Sequence, residues 1–307
     1  MRLPVIEATE LRRALPMSVA IDALETAFRT QLPSAPLRSS VETPAGSLLL
    51  MPSSSEDALG VKLVTLTPTN AGRGLPYIHA LYALFDGATQ APRAILDGAA
   101  LTALRTGAVS GLATRHLAIS EASRLVVFGA GVQARSHVEA MRAVRPVERV
   151  TIVSRSAPAA EALVAELLAE GLDASVGVPD AVAEADLVCT CTTSPEPVLE
   201  GRLLAPGTHV NAVGAYTPET RELDGEAVRR ARVVVETREV AMAEAGDLLI
   251  PIREGIVGGD HVAADLPELV AGAPVRRSPR DVTVFESVGV AFEDLVVARA
   301  AVERAAP

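Results

Sequence analysis

From residue 124 onward the chain alternates short apolar runs with helical stretches, and this alternation constrains the fold more than any other feature. "RLVVF" (124–128) reads as a buried strand, followed by a helix at about 132–144, the strand "RVTIV" (149–153) and a helix at 157–170. "ASVGV" (174–178), a short helix and "DLVCTCT" (186–192) come next, then "THVNAVG" (208–214), a helix near 222–231, "RVVVE" (232–236) and "VTVFES" (282–287). Strands that alternate with helices build βαβ units, in which helices cover both faces of a parallel sheet. The expected fold is therefore α/β, with a Rossmann-type doubly wound parallel sheet over residues 119–287.

The first turn of this region carries a motif. "VVFGAGVQA" places Gly129, Gly131 and Ala134 after a strand and before a helix. Gly129 permits the tight turn, Gly131 lets backbone approach a pyrophosphate, and Ala134 allows close helix–strand packing. Val132 and Gln133 open the helix, whose free N–H groups and positive end favour an anion. Dinucleotide binding follows; a plain tight turn is the alternative. The second strand ends in "TIVSRS", where a carboxylate would contact a ribose 2′-hydroxyl. Ser154, Arg155 and Ser156 stand there instead. A guanidinium between two hydroxyls suits a 2′-phosphate, so NADP(H) is favoured, with NAD(H) held through Ser154 as the alternative. Thr192, at the end of a later strand, lies where a nicotinamide half passes.

The first part of the chain has another rhythm. Residues 17–29 show helical spacing, and 33–54 are rich in Pro and Ser with a short strand at 47–51. "GVKLVTLTP", "HALYALFD" (79–86) and "AILDG" read as strands with tight connections, followed by a helix over 97–118. An amphipathic helix at 290–305 ends the chain and suits either part. Residues 1–118, with the terminal helix of 288–307, are expected to form an α+β domain for substrate binding and dimerisation.

With 49% apolar and 3% aromatic residues and no Trp, the core must be built from Val, Leu, Ile and Ala. The net charge of −10 and the lack of a basic run argue against nucleic acid as a partner. No apolar run is long enough to span a membrane, and the N-terminus lacks the pattern of a signal peptide. Cys189 and Cys191 are the only cysteines, and their spacing in a strand sends them to opposite faces. Without a disulfide framework or a Cys-based metal site, a cytoplasmic setting is expected. Of the 28 Lys and Arg residues one alone, Lys62, is a lysine. An ammonium has a pKa that burial and neighbours move; a guanidinium stays charged.

The segments "GVKLVTLTPTN", "LTALRTGAVSGLA", "VVFGAGVQA", "GAYTPETRELD", "EAGDL" and "FESVGVAFEDL" resemble the ornithine cyclodeaminase/mu-crystallin family along nearly the whole chain. The resemblance implies a nicotinamide-binding Rossmann domain beside a substrate domain, a homodimer, and a substrate site between the domains. It assigns Arg38, Lys62 and Arg105 to the carboxylate of an amino or imino acid, Lys62 also to proton transfer, and Thr106 to the cofactor phosphates. The family's cyclodeaminases carry an Asp where this chain has Tyr216, whose phenol, with an ordinary pKa near ~10, is no carboxylate base. The resemblance therefore points to an NAD(P)H-dependent reductase of a small cyclic imino acid, of the Δ1-pyrroline-2-carboxylate or Δ1-piperideine-2-carboxylate type, giving an L-amino acid. The alternatives are an ornithine cyclodeaminase that uses NAD+ catalytically, an alanine dehydrogenase-like enzyme, and a non-catalytic NADPH- or small-ligand-binding protein. Glu222 and Asp224 read as the start of a helix, with Asp247 a further family match. His79 is a lesser candidate for the pocket. His116 and His137, on helices, read as surface or packing histidines, and Asp294 reads as helix structure.

Overall fold

A computed structural model of the chain describes residues 3–305. Its first elements are β1 (Val5–Ile6), α1 (Ala8–Ala14), α2 (Met17–Arg29), β2 (Ser39–Thr43), β3 (Gly46–Ser54), β4 (Ala58–Leu66), β5 (Ile78–Asp86), β6 (Pro92–Asp97) and α3 (Gly98–Leu117). Then come β7 (Arg124–Phe128), α4 (Val132–Val144), β8 (Arg149–Val153), α5 (Ala157–Ala169), β9 (Asp173–Val176), β10 (Leu187–Thr190), β11 (His209–Ala212) and α6 (Gly225–Arg230). The last are β12 (Ala231–Val235), α7 (Arg238–Glu244), α8 (Gly246–Arg253), β13 (Val262–Asp265), α9 (Leu266–Val270), β14 (Val282–Glu286) and α10 (Ala291–Ala305). The chain divides into two compact units, Met1–Arg105 with Val290–Pro307, and Thr106–Gly289. The first division falls inside α3, earlier than the end of that helix where the sequence pattern changes.

In the first unit six strands run in the order β1-β6-β5-β4-β3-β2. β1 pairs in parallel with β6, and the other neighbours are antiparallel. Period-two alternation sorts the side chains between two faces. Met51 and Ser53 of β3, Ala58, Gly60, Lys62 and Val64 of β4, and Tyr82 and Leu84 of β5 are all buried. α10 packs on β3, β4 and β5 and on α2. Its Phe292 ring meets Phe28 edge-on, with centroids 5.3 Å apart. Phe292, Leu295 and Val297 are buried, so the terminal helix forms the core of this unit. Alternate residues of the same strands, among them Leu50, Val61, Leu63 and Leu81, form a second face that is not buried.

The second unit holds eight strands in the order β13-β12-β14-β11-β10-β7-β8-β9, with every neighbouring pair parallel. Strands β7, β8, β12 and β14 are the Val-, Leu- and Ile-rich runs expected of strands buried on both faces. From β7 the chain moves outward through β8 and β9, then returns to place β10 on the other side of β7. The order reverses between β7 and β10, and in open α/β sheets ligands bind outside the carboxyl ends of the strands at such a point.

Several strands end earlier than the apolar runs do. β10 stops at Thr190; the Cys191 N–H still donates to Phe128 O at 2.8 Å, the last bond of the parallel ladder to β7, and the loop begins there. The elements without a strong apolar period, namely β1, α1, β2, α7, α8, β13 and α9, are absent from the sequence reading. No helix among the described residues is long and apolar enough to cross a membrane.

Candidate active site

The first unit gathers charge on its buried face. Lys62 lies in mid-strand on β4, opposite Met51 of β3 and Tyr82 of β5. Its side chain is 2% exposed, and Nζ lies 2.8 Å from Asp294 Oδ2 on α10. It also donates to Asp294 Oδ1 at 3.1 Å. Arg105, near the middle of α3, donates through Nη1 to Glu293 Oε2 at 3.1 Å, and its Nε lies 3.5 Å from Asp294 Oδ1. Two cations thus meet two adjacent carboxylates in the interior. A buried charge persists only when it is paired in this way.

Burial draws the Lys62 pKa down to about 8, with Asp294 raising it and Arg105 and Arg38 lowering it. Arg38 precedes β2 and lies within electrostatic reach of Lys62. The structure therefore brings Arg38, Lys62 and Arg105 together in one unit. An ammonium with such a pKa releases a proton near neutrality, the property a general acid needs. Tyr82, fully buried, is held far above the ordinary phenol range by burial, and the Asp294 charge adds to that. Its ring fills the space over Gly60, where an added Cβ would sit 2.1 Å from the Tyr82 hydroxyl oxygen.

The second unit carries the glycine turn at the carboxyl end of β7. Gly129 has φ +106°, and a Cβ there would lie 2.5 Å from Cys191 O. Only glycine combines this backbone with such closeness to the loop after β10. At Gly131 an added Cβ would meet nothing within 4 Å. Gly131 is the N-cap of α4 and has no side-chain cap, so the first N–H groups of the helix are left for a ligand. Gln133 Oε1 and Thr106 Oγ1 are both buried with no hydrogen-bond partner among the described residues. These features fit the pyrophosphate of a dinucleotide.

Ser154, Arg155 and Ser156 follow β8. Ser154 Oγ accepts the Ser156 N–H at 3.2 Å, Ser156 caps α5, and Arg155 is exposed. Thr192 is fixed by Glu222, and Tyr216 is half-buried in the loop after β11. Among the described residues no cluster of His, Cys, Asp and Glu is arranged to hold a metal ion.

Other candidates fall elsewhere. His79 is exposed, on the face of β5 opposite to the one that pairs with Lys62. His137 is buried, with Nδ1 2.8 Å from Gln133 O and Nε2 3.0 Å from Ser110 Oγ, so it joins α3 to α4. Asp224 caps α6 as expected, accepting the Ala227 N–H. Glu222 does not begin the helix; it is buried and tied to loops. Sequence reasoning passed over Glu293 and took Asp294 for helix structure alone. Two acids amid the apolar run "VAFEDLVV" were the available signal, because a carboxylate inside a buried helix needs a partner.

The sequence profile of the ornithine cyclodeaminase/mu-crystallin family matches residues 4–307. A Δ1-pyrroline-2-carboxylate reductase of Bacillus cereus is 38% identical over 98% of this chain and 96% of its own length. Among solved structures, the Thermococcus litoralis Δ1-pyrroline-2-carboxylate reductase in complex with NADH and L-proline superposes with a TM-score of 0.94 at 36% identity, covering 99% of this chain and 97% of that one. An archaeal alanine dehydrogenase dimer with bound NAD gives 0.92 at 32% identity, with coverage of 99% and 96%. The glycine turn, the doubly wound sheet and the full-length match place this chain in the ornithine cyclodeaminase/mu-crystallin family.

Proposed function

We propose that the protein is an NAD(P)H-dependent reductase of a small cyclic imino acid, of the Δ1-pyrroline-2-carboxylate or Δ1-piperideine-2-carboxylate type, forming an L-amino acid. The observation that carries the reading is Lys62, a buried ammonium with its pKa drawn down to about 8, within reach of Arg105 and Arg38. Arg38 and Arg105 hold the carboxylate of the substrate, since guanidinium meets it with paired hydrogen bonds. Lys62 gives a proton to the imine nitrogen. A protonated C=N accepts hydride more readily than a neutral one. Tyr216 contacts the substrate and, with a phenol in place of a carboxylate, disfavours cyclodeamination.

Gly129, Gly131, Val132 and Gln133 cradle the dinucleotide pyrophosphate, and Thr106 and Thr192 complete its site. When bound, the reduced nicotinamide supplies the hydride. NADH and NAD occupy two of the similar structures. NADP(H) is favoured here because Arg155 lies between two serine hydroxyls and no carboxylate stands beside it.

A homodimer belongs to the same proposal. In the first unit Leu50, Leu63 and Leu81 are in register across β3, β4 and β5, with Pro52, Val61 and Ala83 in the next row. None of the six is buried. An apolar sheet face of this kind calls for cover, and the similar alanine dehydrogenase is a dimer. The free thiols of Cys189 and Cys191 support the cytoplasm as the setting.

The test is a substrate panel with NADPH and NADH side by side. Δ1-Pyrroline-2-carboxylate should consume reduced cofactor. Ammonia release from ornithine without net cofactor change would overturn the reading in favour of a cyclodeaminase. Consumption with pyruvate and ammonia alone would favour an alanine dehydrogenase. Tight nucleotide binding without turnover would make the protein a binder.

A further inference from the structure

We propose that Asp294 is a positioning residue, which from the terminal helix α10 keeps Lys62 protonated and aimed for donation while its neighbour Glu293 restrains Arg105. The proposal rests on the reading of Lys62 as the proton donor. Residues adjacent on a helix point about 100° apart, and here each acid makes its closest contact with a different cation, while Arg105 Nε also lies 3.5 Å from Asp294 Oδ1. Asp294 takes Lys62 at 2.8 and 3.1 Å, and Glu293 takes Arg105 at 3.1 Å. All four side chains are 7% exposed or less.

The groups around Lys62 make Asp294 decisive. Arg105 faces it from α3, Arg38 from the segment before β2, and Tyr82 from β5. Arg105 and Arg38 are cations that push Lys62 towards losing its proton, as burial does. Tyr82 is a neutral phenol. Of the groups that act on Lys62, Asp294 alone raises its proton affinity. With Asp294 neutralised, Lys62 would sit deprotonated at the pH where the reaction needs its proton.

The sequence makes the test direct, because Lys62 is the only lysine in the chain. Protein labelled with 13C at lysine Cε gives one side-chain resonance, and its titration reads Lys62 with no substrate present. The wild-type midpoint is expected at about 8. Asp294→Asn should lower it by about one pH unit or more, and Asp294→Glu should restore most of the difference. In turnover, Asp294→Asn should move the alkaline limb of kcat/KM to lower pH by the same amount. Its kcat should fall at neutral pH and recover in more acid buffer, with KM changing less.

A wild-type midpoint at the ordinary lysine value would overturn the proposal. So would equal midpoints in wild type and Asp294→Asn, or a loss of activity equal at every pH, which marks a mere anchor for α10. Should Asp294→Asn not fold, Asp294→Ser, which also lacks the charge and leaves room for water beside Lys62, carries the test; a midpoint and a limb equal to those of the wild type would overturn the proposal. If the wild-type enzyme turns over no cyclic imino acid, the functional reading fails while the lysine titration still decides for or against Asp294.

Discussion

The hydroxyl of Thr192 donates to Glu222 Oε1 at 2.6 Å, and the same oxygen accepts the Thr192 backbone N–H at 2.7 Å. The other oxygen accepts the Gly214 N–H at 2.8 Å. One buried carboxylate thus ties the loop after β10 to the loop after β11, at the carboxyl end of the sheet. Asp247 Oδ1 in turn accepts the backbone N–H groups of Glu222 and Leu223 at 2.8 and 2.6 Å. Glu222→Gln presents an amide NH2 to at least one of these donors. Leaving a buried donor unmet costs about 1–3 kcal/mol, and each kcal/mol lowers Tm by about 2–4 °C in a domain the size of the second unit. Thermal melts with nucleotide titration should show both a lower Tm and weaker nucleotide binding. Wild-type values of both would sink this account of Glu222.

Lys62→Arg isolates the need for a mobile proton. Arginine retains the charge that Asp294 neutralises but does not release its proton. The residues proposed to hold the nucleotide lie in the other compact unit, so nucleotide affinity should be unchanged. Loss of a general acid costs typically ~10²–10⁴-fold in rate, and kcat should fall within that range. Near-normal turnover by the folded variant would remove Lys62 from the chemistry.

The second unit should lose stability as pH rises. Burial raises the carboxyl of Glu286 well above its usual range, and the charges of Asp247, Glu222 and Glu236 push it further. Its two oxygens have no hydrogen-bond partner among the described residues. Asp247 is raised to about 8, first by burial and then by Glu222. In the unfolded chain these groups titrate near ~3.9 and ~4.3. Between about pH 5 and about pH 8 the unfolded state therefore holds fewer protons than the folded one, so stability falls as pH increases. His209, lowered to about 3 by burial, acts with the opposite sign in the lower part of the window and offsets one of these protons below its ordinary value of 6.5; Lys62, lowered to about 8 from 10.5, does so only above the window. Tm should decline across the window, and Glu286→Gln, which mimics the protonated acid, should flatten the decline. Parallel curves for wild type and variant would refute this.

How much of this was legible in the sequence depended on the length over which each force acts. The parallel strands announce themselves in runs such as "RLVVF", because burial on both faces demands unbroken apolar residues. The glycine turn is legible because backbone geometry is local. β2, by contrast, reads "SSVET" and is exposed throughout; only the ladder to β3 makes it a strand. α7 and α9 are too short for periodicity to show, yet their caps were written in the chain. Thr237 accepts the Val240 N–H, and Asp265 and Glu268 form a reciprocal capping box. The candidate site divides in the same way. Arg38, Lys62 and Arg105 were found through resemblance and the scarcity of lysine. Asp294 is a partner separated from Lys62 by most of the chain, and no local pattern reports such a pairing.

Cofactor preference should respond to Arg155 alone. Its side chain is exposed and lies between Ser154 and Ser156, whose hydroxyls partly serve the local backbone. A charged hydrogen bond to a phosphate contributes about 1.5–3 kcal/mol. Arg155→Ala should therefore weaken NADPH by roughly 10–100-fold and NADH little. Fluorescence titration with each nucleotide measures the ratio. Equal weakening of the two would remove the argument for a 2′-phosphate.

Leu81 offers the cleanest probe of self-association. It is 43% exposed, and it completes the row formed by Leu50 and Leu63 on the uncovered face of the first sheet. As an isolated surface residue it would tolerate a charge within about 0.5 kcal/mol of stability. At the centre of an apolar contact between two copies, the same charge would be buried without a partner, at a cost of several kcal/mol. Light scattering of the wild type should give twice the chain mass. Leu81→Asp should give the single-chain mass, with its circular dichroism unchanged. A monomeric wild type, or a variant that remains a dimer, would show that this face is not the one that joins two copies.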